Sequence, residues 1–196
     1  MIYCDHQIEK AIRDRRLIID PSPEPSQFDS TSLNLRVGDD FLIWKPELQA
    51  RGTGHSIDLD NIDLSEIIGL TDPLPANADG IVAIPPGAFV LVRTLEHITF
   101  PIKSKLAGRI EGRSKQARLG LTAHITAPII HSGFSGKITL EIVNHGPFEL
   151  RVRPKETRLC QLIIEEVKGV PKRGGSAAFS QQATPLGTPR RRSQEQ

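Results

Sequence analysis

An alternating stretch late in the chain indicates the fold class: residues 137–144 read KITLEIVN. With a period of two residues, the apolar side chains at the even positions fall on one face of a strand. Thr139, Glu141 and Val143 then fall on the other face. The stretch therefore predicts a strand with one buried face. Glu141 is either an exposed strand carboxylate or an acid on the wall of a site.

Short apolar runs separated by turn residues surround this stretch on both sides. Further strands are predicted at residues 81–84, 89–93, 97–100, 106–110, 121–126, 148–152 and 159–167. Pairs such as Pro86-Gly87 and Ser132-Gly133 mark turns between them. Short strands spaced by roughly 8–12 residues are typical of a sandwich, jelly roll or barrel. We therefore expect an all-β dominated fold.

The N-terminal part adds a helix and a strand. Asp5 is placed to cap a short helix in which Ile8, Ala11 and Ile12 share one face. Residues 33–37 alternate between apolar and polar side chains, which predicts a half-buried strand. The region that follows, up to the run of strands, is poorly patterned and rich in Asp, Pro and Gly.

Composition limits the number of domains and the function classes. The chain has 196 residues, 38% of them apolar, and a net charge of +2. These values suit one packed domain and exclude wholesale disorder or a highly basic nucleic-acid binder. Residues 169–196 carry five basic residues and one acidic residue, which gives +4 there and −2 in the rest. We expect a β domain over residues 1–168 and a flexible basic tail over residues 169–196.

Cysteine usage and the N-terminus indicate the compartment. Cys4 and Cys160 are the two cysteines, and free thiols suit a reducing environment. No basic region leads into an apolar stretch at the N-terminus, and residues 81–92 are too short to span a bilayer. We therefore expect a cytoplasmic protein without a membrane segment.

The histidines and cysteines argue against a zinc site. A zinc nucleobase deaminase needs His-x-Glu followed by Pro-Cys-x-x-Cys, and none of the six histidines has Glu two residues later. His124 and His131 lie seven residues apart, but no third ligand stands at a useful spacing. We expect no protein-bound metal.

A short basic segment has the character of a phosphate site: residues 112–120 read GRSKQARLG. Ser114 suits a helix N-cap, and the closing glycine suits the end of the helix. A helix N-terminus flanked by Arg113 and Lys115 can hold a phosphate. Ser114 and Arg118 stand four residues apart and share a face. The alternative is a capped surface turn with solvated charges.

In this order, the motifs resemble those of the dCTP deaminases, relatives of the trimeric dUTPases. The matching segments are GRS…ARLGL at residues 112–121, HITA at 124–127, GFSG at 133–136 and TLEIVN at 139–144, with N-terminal matches within residues 4–8, 17–21 and 32–38. The resemblance covers most of residues 1–167. It implies a distorted jelly roll or dUTPase-like β-barrel with a short N-terminal helix and one short helix at about 114–119. It also implies a homotrimer whose active sites lie between subunits.

The resemblance implies hydrolytic deamination of dCTP to dUTP and ammonia, which supplies thymidylate synthesis. Glu141 matches the catalytic acid/base, which takes a proton from the water that attacks C4 of cytosine. Ser114 and Arg118 match catalytic residues beside it, and no zinc is needed. Mg²⁺ would arrive on the substrate triphosphate. Feedback inhibition by dTTP is also implied.

Substrate-binding residues carried over from the family form a longer set. They are Arg113, Ser114, Lys115, Arg118, Ile125, Thr126, Ala127, His131, Thr139, Phe179 and Gln182. The first three match a phosphate cradle, and the backbone around Ile125 and Ala127 matches the strand edge that reads the pyrimidine. Phe179 and Gln182 match the tail that closes over the triphosphate.

The chain departs from the family pattern in two places. His131 stands where most relatives have Asp, which we interpret as evidence against dUTP hydrolysis; alternatively, it is a polar turn residue. In the tail, Ala178 and Phe179 replace the usual Lys and Tyr.

These departures leave two alternative functions open. One is a dUTP diphosphatase or a bifunctional dUMP-forming dCTP deaminase, and the other is a non-catalytic nucleotide-sensing module. A nucleic-acid partner is not expected, because the arginines at 190–192 are typical of a solvated terminus.

Overall fold

The computed structural model describes residues 1–49, 56–60, 62, 67–173, 182 and 184–187. The helices are short, and none in the described part of the chain is long and apolar enough to cross a membrane. They include α1 (Asp5–Arg13), α2 (Pro46–Gln49) and α3 (Ser114–Ala117), with 3₁₀ turns at Pro25–Gln27 and Ile102–Ser104.

Antiparallel strands make up most of the regular structure. They are β1 (Ile18–Asp20), β2 (Phe28–Asp29), β3 (Ser32–Arg36), β4 (Leu42–Trp44), β5 (Thr71–Pro73), β6 (Val82–Ile84), β7 (Phe89–Thr99), β8 (Leu106–Gly112), β9 (Leu121–Thr122), β10 (Ile129–Ile130), β11 (Ser135–Asn144), β12 (Leu150–Val152) and β13 (Arg158–Glu166). The prediction of a fold dominated by β-structure is confirmed.

Two larger sheets share one hydrophobic core. The six-stranded sheet has the order β5-β4-β7-β11-β9, with β1 also paired to β7, and the five-stranded sheet has the order β10-β8-β13-β3-β2. A small third sheet pairs β12 with β6. The core contains fully buried side chains from both large sheets, such as Leu140 on β11 and Leu162 on β13. This arrangement of short strands in packed sheets is that of a jelly roll.

Several strand boundaries differ from the sequence-based prediction. The two strands predicted at 89–93 and 97–100 form the single strand β7. The strand predicted at 121–126 ends after β9, because the chain there crosses to the other large sheet. β9 pairs with β11 in the first sheet, and β10 pairs with β8 in the second. Residues 123–128 form this crossing and belong to no strand.

Two details at the N-terminal end also correct the prediction. The N-cap of α1 is Cys4, whose backbone amide donates a hydrogen bond to Oε1 of Gln7, and Asp5 is the first helical residue. The predicted face of the helix is confirmed, since Ile8 and Ala11 are buried. β3 is buried on both faces rather than half-buried. Nδ2 of Asn34 donates to the carbonyl of Gln27 and to the carboxylate of Asp29, whereas its buried Oδ1 has no hydrogen-bond partner among the described residues. The two internal bonds of the amide nitrogen offset part of the cost of burying this polar residue.

An irregularity in β7 fixes the start of β11. The register of the pair jumps from Lys137 opposite His97 to Thr139 opposite Arg93. In the gap, the backbone amide of Ile138 donates to the hydroxyl of buried Thr94 at 3.0 Å. The extra residues turn Glu96 into the core.

The Glu96 carboxylate is fully buried and satisfied by three groups. It accepts hydrogen bonds from the side chain of Gln27 at 3.0 Å, from the backbone amide of Arg36 at 2.9 Å and from Nε of Arg36 at 2.9 Å. Removal of one partner would leave the buried charge of Glu96 without compensation and would destabilise the fold. The network therefore stabilises the irregular part of β7.

Candidate active site

Strand β11 presents Glu141 to a cavity. Burial alternates along the whole strand, with Ile138, Leu140 and Ile142 buried and the intervening side chains half-buried. This confirms the predicted faces of the KITLEIVN stretch. The face that carries Glu141 forms one wall of a cavity of about 540 Å³. Glu141 is thus half-buried on a cavity wall rather than a fully exposed strand carboxylate.

The cavity brings together five of the predicted site residues and several that were not predicted. The predicted residues in its wall are Ala127, His131, Thr139, Glu141 and Gln182. The additional lining residues are Leu91, Ile129, Ile130, Phe134, Lys137, Ile138, Pro185 and Leu186. Lys137 could have been found from the sequence, because it precedes Thr139 by two residues, the period of a strand. Ile138 lies on β11 itself and Phe134 just before it. The others come from β7, from β10 and from the C-terminal segment, so no local pattern marks them.

Glu141 sits against the backbone of the crossing segment. The amide of Ile125 lies 3.4 Å from Oε2 of Glu141 in a long hydrogen bond. Glu141 is the one carboxylate among the described residues of the cavity wall, where Lys137 supplies an ammonium group and His131 an imidazole. A half-buried carboxylate with a backbone donor nearby can hold a water molecule and accept its proton. The wall around it is otherwise largely apolar, which suits an aromatic heterocycle.

Gln182 belongs to the wall through bonds to β11. Its Nε2 donates to the hydroxyl of Thr139 at 2.7 Å and to the carbonyl of Lys137 at 3.1 Å. The residue is buried, with 7% of its surface exposed. Its amide nitrogen is therefore already bonded to Thr139, which lies two residues from Glu141 along β11.

The predicted phosphate segment forms α3, away from this wall. Ser114 is the first helical residue and not the N-cap, which is Arg113 in an extended conformation without a side-chain cap bond. The prediction of Ser114 as the N-cap is wrong, because the extended backbone continues one residue further than the sequence suggests. Ser114, Lys115 and Arg118 are exposed. None of these lies among the described residues that line the cavity.

The helix is anchored on β13 from its inner side. Nη1 of Arg113 and Nε2 of Gln116 both donate to the carbonyl of Arg158, at 3.3 and 2.8 Å. The side chains of Arg113 and Gln116 thus anchor the helix to β13, whereas those of Ser114, Lys115 and Arg118 are exposed. A cluster of two cations and a hydroxyl on one exposed turn suits an anionic ligand.

A close crossing of two glycines fixes where α3 leaves for β9. Gly120 has a positive φ of 89°, and the backbone carbonyl of Gly120 accepts from the amide of His145 at 2.8 Å. A Cβ on Gly146 would lie 1.9 Å from the carbonyl oxygen of Leu119. Only glycine fits there, so the end of α3 is held against the turn that follows β11.

Ile125 and Thr126 are not among the described residues that line the cavity. Ile125 and Thr126 lie in the crossing segment with exposed side chains, so Ile125 takes part through its backbone amide. Phe179 lies outside the described residues. A thiol, a carboxylate and an imidazole from Cys4, Asp5 and His6 come within 4.8 Å of one another at the start of α1. These three are not among the described residues of the cavity wall.

Comparisons with known proteins agree with this geometry. The family described as dCTP deaminase-like matches residues 2–167. A protein of Methanosphaera stadtmanae named "dCTP deaminase, dUMP-forming" is 35% identical over 168 residues, which cover 84% of this chain and 78% of the relative. A "dCTP deaminase" of Colwellia psychrerythraea is 34% identical over 160 residues, which cover 79% of this chain and 77% of the relative.

A solved structure supports the fold separately. The 2'-deoxycytidine 5'-triphosphate deaminase from Agrobacterium tumefaciens superposes with a TM-score of 0.61 at 18% identity, over 83% of this chain and 47% of that chain. This chain thus spans about half the length of that solved chain. The resemblance found in the motifs and the jelly-roll expectation are confirmed together. With a family match over nearly all of its β domain and relatives above 30% identity, the chain belongs to the dCTP deaminase-like family.

Proposed function

We propose that this chain catalyses hydrolytic deamination of dCTP to dUTP and ammonia. The observation that carries the proposal is the position of Glu141, the one carboxylate among the described residues of an otherwise largely apolar cavity wall, with a backbone donor 3.4 Å away. The family match supports the substrate, since the similar relatives are named for dCTP deamination. The cavity of about 540 Å³ is large enough for a nucleoside.

Glu141 acts as general base and then as general acid. It accepts a proton from a water molecule, whose oxygen attacks C4 of the cytosine ring. Glu141 passes this proton to N3 and then moves the proton of the new C4 hydroxyl to the amine. The C4–N bond breaks as the C4 carbonyl forms, so that dCTP and water give dUTP and ammonia. The amide of Ile125 keeps the carboxylate directed into the cavity. This route uses proton transfer between oxygen and nitrogen atoms and needs no zinc-bound water.

Ser114 and Arg118 take part from a second copy of the chain. Both are exposed and lie outside the described wall of the Glu141 cavity, although the family resemblance gives them catalytic roles. A homotrimer with active sites between subunits resolves this separation, because α3 of one subunit can close the cavity of its neighbour. Arg113 and Lys115 would bring the phosphate cradle with them.

Mg²⁺ enters with the triphosphate. Glu141 is the one carboxylate among the described cavity residues, whereas a protein-held Mg²⁺ is bound by one or two carboxylates together with phosphate oxygens. Using Glu141 as a metal ligand would remove the base. The ion therefore belongs to the substrate, and dTTP would compete for the same site as a feedback inhibitor. We propose a cytoplasmic location, where these nucleotides are made.

A second candidate function is the coupled formation of dUMP. It is favoured by the names of similar relatives, such as that of Methanosphaera stadtmanae. Hydrolysis at phosphorus needs a base for a second water. The described cavity wall offers the imidazole of His131 where the family pattern has a carboxylate. We therefore propose dUTP as the final product.

Incubation with dCTP and Mg²⁺ tests the proposal, with ammonia and pyrophosphate measured separately. Ammonia with intact triphosphate is the expected result. Ammonia together with equal pyrophosphate would establish the dUMP-forming reaction. Pyrophosphate from dUTP without ammonia from dCTP would establish a diphosphatase instead. Tight binding of dCTP without either product would make the chain a nucleotide-sensing module.

A further inference from the structure

The C-terminal segment forms part of the cavity wall in the structure. We call Gln182 and residues 184–187 the strap. Residues 184–187 make a tight turn, in which the amide of Gly187 donates to the carbonyl of Thr184 at 3.0 Å. The turn places Pro185 and Leu186 against the cavity. The strap therefore closes one side of the space that contains Glu141.

Two bonds tie the strap to the same side chain of β11. The hydroxyl of Thr139 donates to the carbonyl of Pro185 at 3.0 Å and accepts from Nε2 of Gln182 at 2.7 Å. Thr139 lies two residues from Glu141 on the same face of the strand. The position of the strap and the shape of the cavity around Glu141 are thus coupled through one hydroxyl.

Besides these bonds and the one from Nε2 of Gln182 to the carbonyl of Lys137, Arg93 provides a further attachment from the neighbouring strand. It lies directly opposite Thr139 in the β7–β11 pair. Its Nη1 donates to the backbone carbonyl of Gln182, and its Nε forms an ion pair with Asp40. The backbone amide of Arg93 also donates to Oδ1 of Asp40 at 3.2 Å. Only 17% of the Arg93 side chain is exposed, so the bond to Gln182 is largely shielded from water.

The ion pair determines what Arg93 can do. Asp40 neutralises the guanidinium and fixes its direction, so that the free donor group meets the carbonyl of Gln182. A bond from a charged donor to a carbonyl is stronger than a neutral one. This bond acts on the main chain of the strap, so it does not depend on which side chain stands at position 182.

We infer that Arg93, oriented by Asp40, is a positioning residue that holds the strap on β11 and so sets the outer wall of the Glu141 cavity. The consequence for catalysis rests on the proposed deaminase function, whereas the attachment itself does not. Loss of Arg93 should release the strap, weaken substrate binding and leave Glu141 in place.

The test uses the full chain with Arg93→Met, which keeps length but removes the guanidinium. Hydrogen–deuterium exchange at residues 184–187 reports the attachment without any substrate. The lost charged bond should speed this exchange by about tenfold to a hundredfold. Arg109→Met is the matched control, because Arg109 also forms ion pairs on a strand but lies in the other large sheet. It should leave exchange in the strap unchanged.

Kinetics then separate positioning from a general structural role. Arg93→Met should raise KM for dCTP about tenfold with kcat changed much less, and Arg93→Lys should recover part of the loss. Leu186→Gly, which loosens the strap independently, should raise KM as well. If both act through the strap, the double variant should be no worse than the poorer single variant.

The inference is overturned by either of two results. One is unchanged exchange of residues 184–187 in Arg93→Met. The other is a fully additive effect of Arg93→Met and Leu186→Gly on KM. If Arg93→Met does not fold, Asp40→Asn supplies the same exchange test, since it removes the charge that directs Arg93. If the chain fails to deaminate dCTP, the exchange result still decides the attachment, and only the proposed function fails.

Discussion

The backbone amide of Ile125 and the carboxylate of Glu141 meet at 3.4 Å, where the chain crosses from one large sheet to the other. This contact joins the crossing segment to β11, between residues that are 16 positions apart in the sequence. It places the carboxylate of Glu141 beside the backbone that is proposed to face the pyrimidine ring of the substrate. The length of the bond leaves room for it to shorten when a ligand fills the cavity.

Replacement of Glu141 by Gln should remove the base while retaining its shape. We expect kcat for ammonia release from dCTP to fall by about 10²–10⁴-fold, with KM changed little. Steady-state kinetics with an ammonia-coupled assay measure both parameters. Glu156→Gln is the control, because Glu156 is exposed and lies in the turn before β13. Near-normal turnover by Glu141→Gln would show that another group is the base.

The proposed sharing of active sites between subunits predicts complementation between two inactive variants. Glu141→Gln and Arg118→Ala should each be inactive as homotrimers. Random assembly of an equal mixture should recover about a quarter of the wild-type activity, and the isolated mixed trimers about a third, because one of the three sites in each mixed trimer retains both groups. Co-expression with two affinity tags isolates the mixed trimers. Mixed trimers without recovered activity would show that Glu141 and Arg118 do not act at one shared site.

The glycine crossing predicts a destabilised variant outside the described wall of the Glu141 cavity. Gly146→Ala puts a methyl group 1.9 Å from the carbonyl of Leu119, so the end of α3 must move. We expect a loss of about 1–3 kcal/mol in the free energy of unfolding, measured by urea denaturation. Gly112→Ala is the matched control, since no atom lies within 4 Å of its added Cβ. Equal stability of the two variants would contradict the crossing.

The two thiols should differ in reactivity. Cys160 is fully buried, and burial together with the nearby Glu96 carboxylate raises the pKa of its thiol well above its ordinary value near 9. Cys4 is half-buried at the start of α1. A disulfide reagent at pH 8 should therefore label one thiol in the native protein and two in denaturant. Rapid labelling of Cys160 in the native state would contradict its burial.

The same shift gives stability a pH dependence. Because the folded state keeps the Cys160 thiol protonated, its contribution is complete below the ordinary pKa near 9 and is lost as pH rises above it. Replacement of Cys160 by Ala should make the free energy of unfolding less sensitive to pH between about 9 and 11. Urea denaturation at several pH values measures this slope. An unchanged slope would show that Cys160 is not the group responsible.

The local patterns predicted some features well. The two-residue period of β11 correctly gave its faces, and this period alone put Thr139 and Glu141 on the same wall. The same reasoning failed for β3, since buried Asn34 makes hydrogen bonds to Gln27 and Asp29 that no alternation reveals. The same reasoning also extended β9 too far. The point at which the chain crosses between the sheets depends on the strands with which it pairs, and the pattern of residues 121–126 does not show those strands.

The cavity shows the same limit. The motifs identified Glu141 and Gln182 as site residues. In the sequence, the basic segment Lys172-Arg173 lies between them. The motifs did not indicate that Arg93 would contact the carbonyl of Gln182, because that bond depends on the register of β7 against β11. The motifs also placed Ser114 and Arg118 beside Glu141, whereas one chain keeps them on its exposed surface. Assembly, and not local sequence, would have to bring them together.

Isotope labelling tests the central claim most directly. dCTP and Mg²⁺ are incubated with the full chain in water enriched in ¹⁸O, and the nucleotide product is examined by tandem mass spectrometry. Hydrolytic deamination at C4 predicts dUTP with one ¹⁸O in the uracil ring and no ¹⁸O in the phosphates. A product with ¹⁸O in a phosphate and an unlabelled cytosine ring, or no labelled product at all, would contradict the account.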